Sequence, residues 1–298
     1  MQFQIGMKCR NVYGTDTITE GPRMKYGVST FLTDESISPI ALGTGLEERG
    51  IDALFLAEHT HIPTSWQSPS PAFTLAREYY RTVDPFVALG AVAAVTKTLL
   101  LGTGIALVAQ RDPIITAKEV ATLDLISGGR AVFGVGAGWL EDEMRNHGTN
   151  PRSRGRLMDE RIRAIIKLWT EEEAGFQGEF VNFDPIYSWP KPVQLPHPPI
   201  YVGGVSERAF ERLAEYGQAW MPIGIPPHEL GALMDRMRQV TGTDTPVTVF
   251  GASHDRESLD IYAALGVERV LFTLPTLPQD ATLRALDEFA GAISTTTQ

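Results

Sequence analysis

The sequence predicts an α/β fold in which eight parallel strands, each followed by a helix, close into a (β/α)8 TIM barrel. From Met24 onward, short runs of β-branched and apolar residues alternate with longer segments of helical periodicity, a rhythm typical of repeated βα units. Eight such runs are present, and eight parallel strands close a barrel of this kind. The predicted strands are Lys25–Ser29, Ala53–Ala57, Leu99–Leu107, Ala131–Val135, Ile200–Gly203, Ala219–Ile223, Pro246–Phe250 and Arg269–Leu274.

The helical segments between these strands carry recognisable end signals. Arg156–Thr170 has isoleucines and a tryptophan at the spacing of one helical face and basic residues on the other, which predicts a helix packed outside the barrel. Ile114–Ile126 is followed by Gly128, and Leu259–Leu265 is followed by Gly266. Glycine readily adopts the left-handed conformation in which many helices end, so both segments are predicted to end there and return to a strand.

Two proline-rich segments, Thr60–Val83 and Glu173–Pro199, interrupt the alternation. Proline lacks the backbone N–H that helices and sheets need, so both are predicted to be irregular. Because each adjoins a strand end, we expect both at the rim of a pocket. The aromatic residues that suggest an apolar pocket there are Trp66, Phe73, Tyr79, Tyr80, Tyr187 and Trp189.

The length of 298 residues fits one barrel domain, predicted to span residues 24–298. Residues 1–23 are polar and have no apolar central region, so they do not resemble a secretion signal. We expect them to form a poorly ordered N-terminal extension. Cys9 is the sole cysteine, which excludes an intramolecular disulfide and favours the reducing cytoplasm.

The charge and hydropathy of the chain exclude two classes of partner. A net charge of -10 argues against nucleic acid, since phosphate neutralisation needs an excess of Lys and Arg. No apolar run approaches the roughly 18 residues of a membrane span. We therefore expect a small-molecule substrate and neither a membrane nor a nucleic-acid partner.

Barrel chemistry belongs at the C-terminal ends of the strands, and the second predicted strand ends at Glu58-His59-Thr60-His61. His59 could act as an acid or base, because imidazole titrates near neutral pH, or it could only anchor a loop. His59 and His61 could also bind a metal. The other histidines that a metal site would need are predicted in loops, which makes a metal the weaker interpretation: His147, His197, His228 and His254.

Three further strand ends have features suited to a ligand. Gly102 and Gly104 lie inside the predicted third strand, where glycine marks a bulge, a close approach of a ligand or tight packing. The turn Gly134–Trp139 exposes small residues but lacks the third glycine of a dinucleotide fingerprint. Gly203–Ser206 runs into a predicted helix, Glu207–Tyr216, with Ser206 as N-cap, a suitable place for an anion.

Taken together, these strand ends resemble the bacterial luciferase-like monooxygenase family, and within it the oxidoreductases that use coenzyme F420, a deazaflavin. The resemblance extends over nearly the whole chain from Met24. Its most specific parts are Ala57-Glu58-His59, Leu101-Gly102-Thr103-Gly104, Pro113–Gly129 with Ala121-Thr122-Leu123-Asp124, Gly134-Val135-Gly136-Ala137-Gly138-Trp139 and Pro199-Ile200-Tyr201-Val202-Gly203-Gly204.

The resemblance implies a TIM barrel of the luciferase-like type, a homodimer, and a site for each part of the cofactor. It assigns acid-base action at the ring to His59 and implies a non-proline cis peptide at Gly104–Ile105 behind the ring. The cofactor-binding residues that it implies are Glu58, Gly104, Ile105, Leu107, Ala137, Gly138, Trp139, Asp142, Gly203, Gly204, Val205 and Ser206. The last four would take the phosphate.

One departure concerns the substrate. A sugar-phosphate dehydrogenase of this family has an acidic residue in the turn after strand four and an aromatic residue shortly after the histidine. This chain has Trp139 and Pro63 at the corresponding places, which argues against that substrate.

The leading prediction is therefore an oxidoreductase that moves a hydride between a deazaflavin and a small organic substrate, with His59 handling a proton. A monooxygenase using reduced FMN is the alternative within the family. A non-catalytic flavin-binding barrel and a metal-dependent hydrolase built on His59 and His61 are alternatives of other classes. The carboxylates of a deazaflavin tail would favour basic residues near the rim, for which the candidates are Arg111, Lys118 and Arg208.

Overall fold

The computed structural model describes residues 23–66, 68 and 74–296. The predicted N-terminal extension, apart from Arg23, lies outside the described residues, as does Phe73. None of the helices in the described ranges is long and apolar enough to cross a membrane.

Parallel strands close the predicted barrel. They are β1 (Lys25–Thr30), β2 (Ala53–Leu56), β3 (Leu100–Thr103), β4 (Ala106–Leu107), β5 (Ala131–Gly136), β8 (Ile200–Gly203), β9 (Ala219–Met221), β10 (Thr248–Ala252) and β11 (Arg269–Thr273). Around the barrel they follow the order β10-β11-β1-β2-β3-β5-β8-β9, and β4 pairs with β5. Gly27 of β1 pairs with both Ala53 and Leu271, so the first strand of the barrel is joined to the last. Parallel bridges between Trp220 and Val247 and between Ile223 and Phe250 join β9 to β10. The predicted fold class is thus confirmed.

Helices surround this barrel and begin at polar caps. Asp112 accepts hydrogen bonds from the N–H groups of Ile114 and Ile115, which the first turn of a helix leaves unpaired. The same helix ends at Gly128, whose φ of 69° is left-handed as predicted. The helices are α1 (Pro39–Glu48), α2 (Pro85–Val95), α3 (Pro113–Ser127), α4 (Glu141–Asn146), α5 (Arg154–Thr170), α6 (Glu207–Tyr216), α7 (Pro227–Thr241), α8 (Arg256–Ala264) and α9 (Gln279–Thr296).

The third strand of the barrel is interrupted, whereas one continuous strand was predicted. A cis peptide bond between Gly104 and Ile105 separates β3 from β4, and β4 pairs only with β5. The two glycines make room for rings inside the barrel: a Cβ at Gly102 would lie 2.4 Å from Phe55 Cε1, and one at Gly104 would lie 2.6 Å from Phe250 Cε2. Tight packing therefore explains Gly102.

The segment Glu173–Pro199 also differs from its prediction as an irregular pocket rim. Its first half forms an antiparallel hairpin of β6 (Glu173–Gln177) and β7 (Asn182–Tyr187). Pro185 fits there because a two-stranded sheet has a free edge, where a missing N–H costs nothing. Asp124 near the end of α3 accepts hydrogen bonds from the N–H groups of Val193 and Gln194, at 2.8 and 2.9 Å. The second half thus lies at the N-terminal end of the strands, away from the predicted pocket.

Replacing Gly134 by Ala is expected to destabilise the barrel, because the new Cβ would lie 1.9 Å from the carbonyl oxygen of Thr103 in the neighbouring strand. Overpacking of this kind costs about 1–3 kcal/mol. Gly90→Ala in α2 is the matched control, since its Cβ would meet only Ile126 Cδ1, at 3.8 Å. The check is the free energy of unfolding from urea denaturation. Equal stability of the two variants would contradict the close approach of β3 and β5.

Candidate active site

A cavity of about 380 Å³ opens at the C-terminal ends of the barrel strands. Its position follows from the topology, since the ends of all parallel strands meet at one face of a barrel. The residues that line it are Phe31, Ala57, Glu58, His59, Tyr79, Gly104, Ile105, Leu107, Gly136, Ala137, Gly138, Trp139, Gly203, Gly204, Met221, Ile223 and Phe250. A volume of this size is typical of small-molecule sites.

Ten of the thirteen residues singled out from the sequence line this cavity. They are Glu58, His59, Gly104, Ile105, Leu107, Ala137, Gly138, Trp139, Gly203 and Gly204. Three do not: Asp142 pairs with Arg145 at 2.5 Å within α4, while Val205 and Ser206 follow the lining at the start of α6. A contact from Asp142 to the cofactor chain stays a prediction.

The floor of the cavity is the cis peptide Gly104–Ile105, at the position that the family resemblance implies. Gly136 in the neighbouring strand leaves room for it, because a Cβ there would lie 1.9 Å from Ile105 Cδ1. Glu58 holds the far end of the floor by accepting a hydrogen bond from the Leu107 N–H at 2.7 Å. A flat, largely apolar surface results, suited to the face of a ring.

Glu58 is itself held by Arg111, whose Nε donates to Glu58 Oε1 at 2.7 Å. Arg111 also contacts Glu119 and Asp84, at 2.7 and 3.0 Å. Because its guanidinium already pairs with three carboxylates, Arg111 has few donors left for a cofactor tail. Lys118 likewise donates to the carbonyl of Trp189 rather than reaching the cavity.

His59 lies in the wall of the cavity and is oriented by a buried carboxylate. Its Nδ1 is 2.9 Å from Oε2 of Glu143, a residue with no solvent exposure. Burial by itself raises the pKa of Glu143, but hydrogen bonds from His59, the Thr60 N–H and Gln110 outweigh it and hold that pKa below its usual value. Glu143 is therefore ionised at neutral pH and favours the proton on His59 Nδ1, which leaves Nε2 for a ligand in the cavity.

Glu143 is the main functional residue that the sequence analysis missed. It lies 84 positions from His59, on a short helix whose first turn is uniformly acidic, so no local pattern distinguishes it from its neighbours. Only the closing of the barrel brings α4 over the end of β2. The structure thus adds a buried carboxylate partner to a histidine that the sequence had singled out alone.

Aromatic rings surround the cavity side of His59. Tyr79 lies 5.1 Å from the imidazole and 4.6 Å from the ring of Phe31, measured between centroids, and Trp139 lies 6.0 Å from the imidazole. Tyr79 belongs to a 3-10 turn, Arg77–Tyr80, within the segment predicted to be the rim. Of the described aromatics named from the sequence, Tyr79 lines the cavity. Tyr80, Tyr187 and Trp189 are exposed, and neither they nor Trp66 line it.

The start of α6 provides an anion-binding arrangement beside the cavity. Gly204 has a φ of 100°, and Ser206 caps the helix by accepting a hydrogen bond from the Ala209 N–H. The N–H groups of the first turn have no partner within the helix, and the helix dipole is positive at this end. Glu207 would repel an anion, but Arg236 donates to it at 2.6 Å and neutralises its charge.

The two histidines of the His59-Thr60-His61 segment have different hydrogen-bond partners. His61 Nδ1 lies 2.9 Å from Thr60 Oγ1, and its Nε2 lies 2.9 Å from Asn146 Nδ2. In the ranges that the structure describes, no group of three or more His, Cys, Asp or Glu side chains is arranged to hold a metal ion. Nor do all the other histidines lie in loops as predicted, since His228 is in the first turn of α7.

The residues present fit a flat ring that carries an anionic chain. Gly138, with a φ of 78°, and Gly204 adopt conformations that strain any L side chain, and both lie in the cavity wall. They connect the floor at Gly104–Ile105 to the start of α6. A barrel with such a floor, a histidine paired with a buried carboxylate and an anion-binding helix start is typical of flavin-type oxidoreductases.

The chain belongs to the luciferase-like monooxygenase family, whose model matches residues 39–269. An uncharacterised protein of Mycobacterium tuberculosis is 37% identical over 280 residues, which cover 91% of this chain and 99% of that protein. An FMNH2-dependent dimethylsulfone monooxygenase of Pseudomonas putida is 33% identical over 130 residues, 43% of this chain and 36% of that one.

Solved structures share the fold. The monooxygenase RslO1 from Streptomyces bottropensis has a TM-score of 0.75 and 20% identity, covering 92% of this chain and all of that one. An F420-dependent secondary alcohol dehydrogenase, solved with an F420-acetone adduct, has a TM-score of 0.69 and 16% identity, covering 91% and 99%. A monooxygenase and an F420-dependent dehydrogenase therefore share this barrel.

Proposed function

We propose that this protein is an oxidoreductase that transfers a hydride between a deazaflavin and a small organic substrate, with His59 as the acid-base residue. The observation that carries the proposal is the dyad of His59 and buried Glu143 at the cavity wall, 2.9 Å apart. Oxidation of an alcohol or reduction of a ketone needs a proton moved together with the hydride, and an oriented imidazole performs that task near neutral pH.

The proposed cofactor would be held at three places. Gly104 and Ile105 would support the ring, Gly138 and Trp139 would contact the chain, and the start of α6 at Gly203–Ser206 would take the phosphate. When bound, a deazaflavin supplies the hydride acceptor or donor. Arg208, whose side chain is 78% exposed in the first turn of α6, remains a candidate for the carboxylates of the tail.

The proposed proton step uses the free nitrogen of His59. In the oxidative direction, His59 Nε2 accepts the hydroxyl proton of the substrate while the hydride leaves the carbon atom that bears this hydroxyl. The imidazolium that forms is stabilised by Glu143, to which Nδ1–H already donates. Phe31, Tyr79 and Trp139 pack around this side of the ring. His59 is only 7% exposed, which strengthens that interaction.

The lining supports a neutral substrate. A second cavity of about 380 Å³ adjoins the first and shares Phe31, Ala57, Tyr79 and Phe250 with it. Among the described residues that line the two cavities, none is Lys or Arg. A phosphorylated or carboxylated substrate would find no cationic partner there, so we propose a small uncharged organic molecule.

A monooxygenase that uses reduced FMN is the second candidate. The similarity to the dimethylsulfone monooxygenase of Pseudomonas putida, at 33% identity over 130 residues, favours it. The start of α6 suits the phosphate of either cofactor. The two candidates differ in the chain beyond the phosphate, which is longer and more acidic in the deazaflavin.

The test is a fluorescence titration of the purified protein with oxidised coenzyme F420 and, separately, with FMN. We expect the deazaflavin to bind at least about tenfold more tightly, which corresponds to 1.4 kcal/mol. Tighter binding of FMN would overturn the proposal in favour of oxygen chemistry. Binding without turnover of any neutral alcohol or ketone would favour a non-catalytic barrel, and binding of neither cofactor would contradict both candidates.

A further inference from the structure

A continuous set of hydrogen bonds connects the buried carboxylate of Glu143 to the protein surface. Glu143 Oε1 accepts from the Thr60 N–H at 2.9 Å and from Thr60 Oγ1 at 3.3 Å. Thr60 Oγ1 in turn lies 2.7 Å from His147 Nε2 and 2.9 Å from His61 Nδ1. Glu143 is fully buried, whereas Thr60 and His147 are exposed.

The donors and acceptors in this set have one consistent arrangement. The Thr60 hydroxyl has a single proton, which Glu143 Oε1 accepts, so its oxygen must accept from both histidines. His147 then carries its proton on Nε2 and His61 carries its proton on Nδ1. His61 Nε2 is left as an acceptor, and Asn146 Nδ2 donates to it at 2.9 Å. Every bond therefore points toward Glu143.

We propose that Thr60, His61 and His147 form a proton relay that exchanges protons between solvent and the dyad of His59 and Glu143. This inference rests on the proposed function of His59. When cofactor and substrate fill the cavity, the Nε2 side of His59 is closed to water, since even without them the residue is only 7% exposed. Protons then reach and leave His59 on its Nδ1 side, through Glu143 and the relay.

The proton balance of the relay is as follows in the oxidative direction. The substrate proton reaches His59 Nε2, and the proton on His59 Nδ1 passes to Glu143. For outward transfer, the Thr60 hydroxyl turns toward His147, whose proton then lies on Nδ1 and whose Nε2 accepts. Glu143 passes a proton to Thr60 Oγ1 as the hydroxyl proton of Thr60 moves to His147 Nε2, and His147 releases its Nδ1 proton to solvent. One proton has then passed from substrate to solvent, and His59 carries its proton on Nε2. After the product leaves, His59 releases the Nε2 proton to water in the open cavity and regains one on Nδ1 through Glu143, which returns every group to its starting state.

The surroundings of His147 suit this exchange. Burial of part of the ring and the neighbouring His61 lower the pKa of His147, and Arg111 acts in the same direction. Glu143 and Glu58 act in the opposite direction, and the net shift is downward from the usual value near 6.5. His147 is therefore largely neutral at pH 7 and can both accept and release a proton.

The first test needs no cofactor. In protein with ¹⁵N-labelled histidine, we measure by NMR the rate at which the His59 Nδ1 proton exchanges with water. Thr60→Val removes the hydroxyl but keeps the backbone N–H that Glu143 accepts, and it is expected to slow this exchange about tenfold or more. Thr60→Ser is expected to restore the rate, because it returns the hydroxyl. Unchanged exchange in Thr60→Val would overturn the relay even if the proposed function is correct.

The second test uses the enzyme with its cofactor. Thr60→Val is expected to lower kcat by about tenfold, with KM little changed. This is less than the loss of about 10²–10⁴-fold that is typical when an acid-base group itself is removed. Added imidazole is expected to recover the loss, since it can deliver protons in place of the hydroxyl. His147→Asn is expected to show the same rescue, whereas His228→Asn, an exposed histidine on α7, is expected to behave as wild type. A loss of kcat that imidazole does not recover would mean a structural role for Thr60 and would overturn the relay.

Discussion

Replacing His59 by Asn is expected to lower kcat by about 10²–10⁴, the range found for general acid-base groups, while the cofactor still binds. Asn retains a side-chain amide that can donate to Glu143, so the wall of the cavity stays in place. It cannot take up a proton in the neutral pH range, so the step that accompanies hydride transfer loses its acid-base group. The measurements are kcat and KM with a neutral alcohol or ketone, and cofactor affinity by fluorescence titration.

Glu143→Gln extends this prediction to the dyad. The amide keeps the shape of the carboxylate but removes the negative charge that stabilises a protonated His59. The value of kcat is therefore expected to fall in Glu143→Gln, because the imidazolium formed in the proton step loses its partner. His228→Asn again serves as the matched control. An unchanged kcat in both His59→Asn and Glu143→Gln would disprove the acid-base assignment.

The second large effect is expected from Arg111→Met, which removes the cation from a buried ion pair. The side chains of Arg111 and Glu58 are 12% and 2% exposed, and Arg111 also stacks over the ring of Phe86 at 4.6 Å. Breaking a buried pair by removing one partner costs about 3–5 kcal/mol, because the remaining charge stays buried without compensation. The check is the free energy of unfolding from urea denaturation.

Arg163→Met is the matched control for this prediction, since it removes the same side chain from an exposed pair. Arg163 and Glu215 are 2.6 Å apart and each is 46% exposed, and pairs of this kind contribute about 0–1 kcal/mol. Adding Glu58→Gln to Arg111→Met is expected to recover part of the loss by removing the uncompensated charge. Equal destabilisation by Arg111→Met and Arg163→Met would contradict the assignment of Glu58 and Arg111 as the support of the cavity floor.

The fold and the position of the site could be predicted because both depend on local patterns. Alternation of strand and helix periodicities identifies the βα units, and in a closed barrel every strand end lies on one face. His59 could therefore be placed in the site from its position directly after a strand. Gly138 after β5, Gly204 after β8 and the cap at Ser206 are equally local, since each depends on the backbone conformation of its own turn.

The strand boundaries that were predicted wrongly are those that depend on residues distant in the sequence but close in space. The predicted strand Leu99–Leu107 is split at Gly104–Ile105, where Phe55 and Phe250 occupy the space beside the glycines. The hairpin within Glu173–Pro199 escaped prediction because its prolines resemble those of a loop, and only the free edge of a two-stranded sheet accommodates Pro185.

By itself, then, the sequence determined a barrel, the face on which its site lies and the histidine at that face. Only the tertiary structure decided the partners: Glu143, 84 positions from His59, and Arg111, 53 positions from Glu58. The physical reason is that periodicity and caps act within a few residues, whereas the charge state and orientation of a buried side chain depend on the groups that barrel closure brings against it.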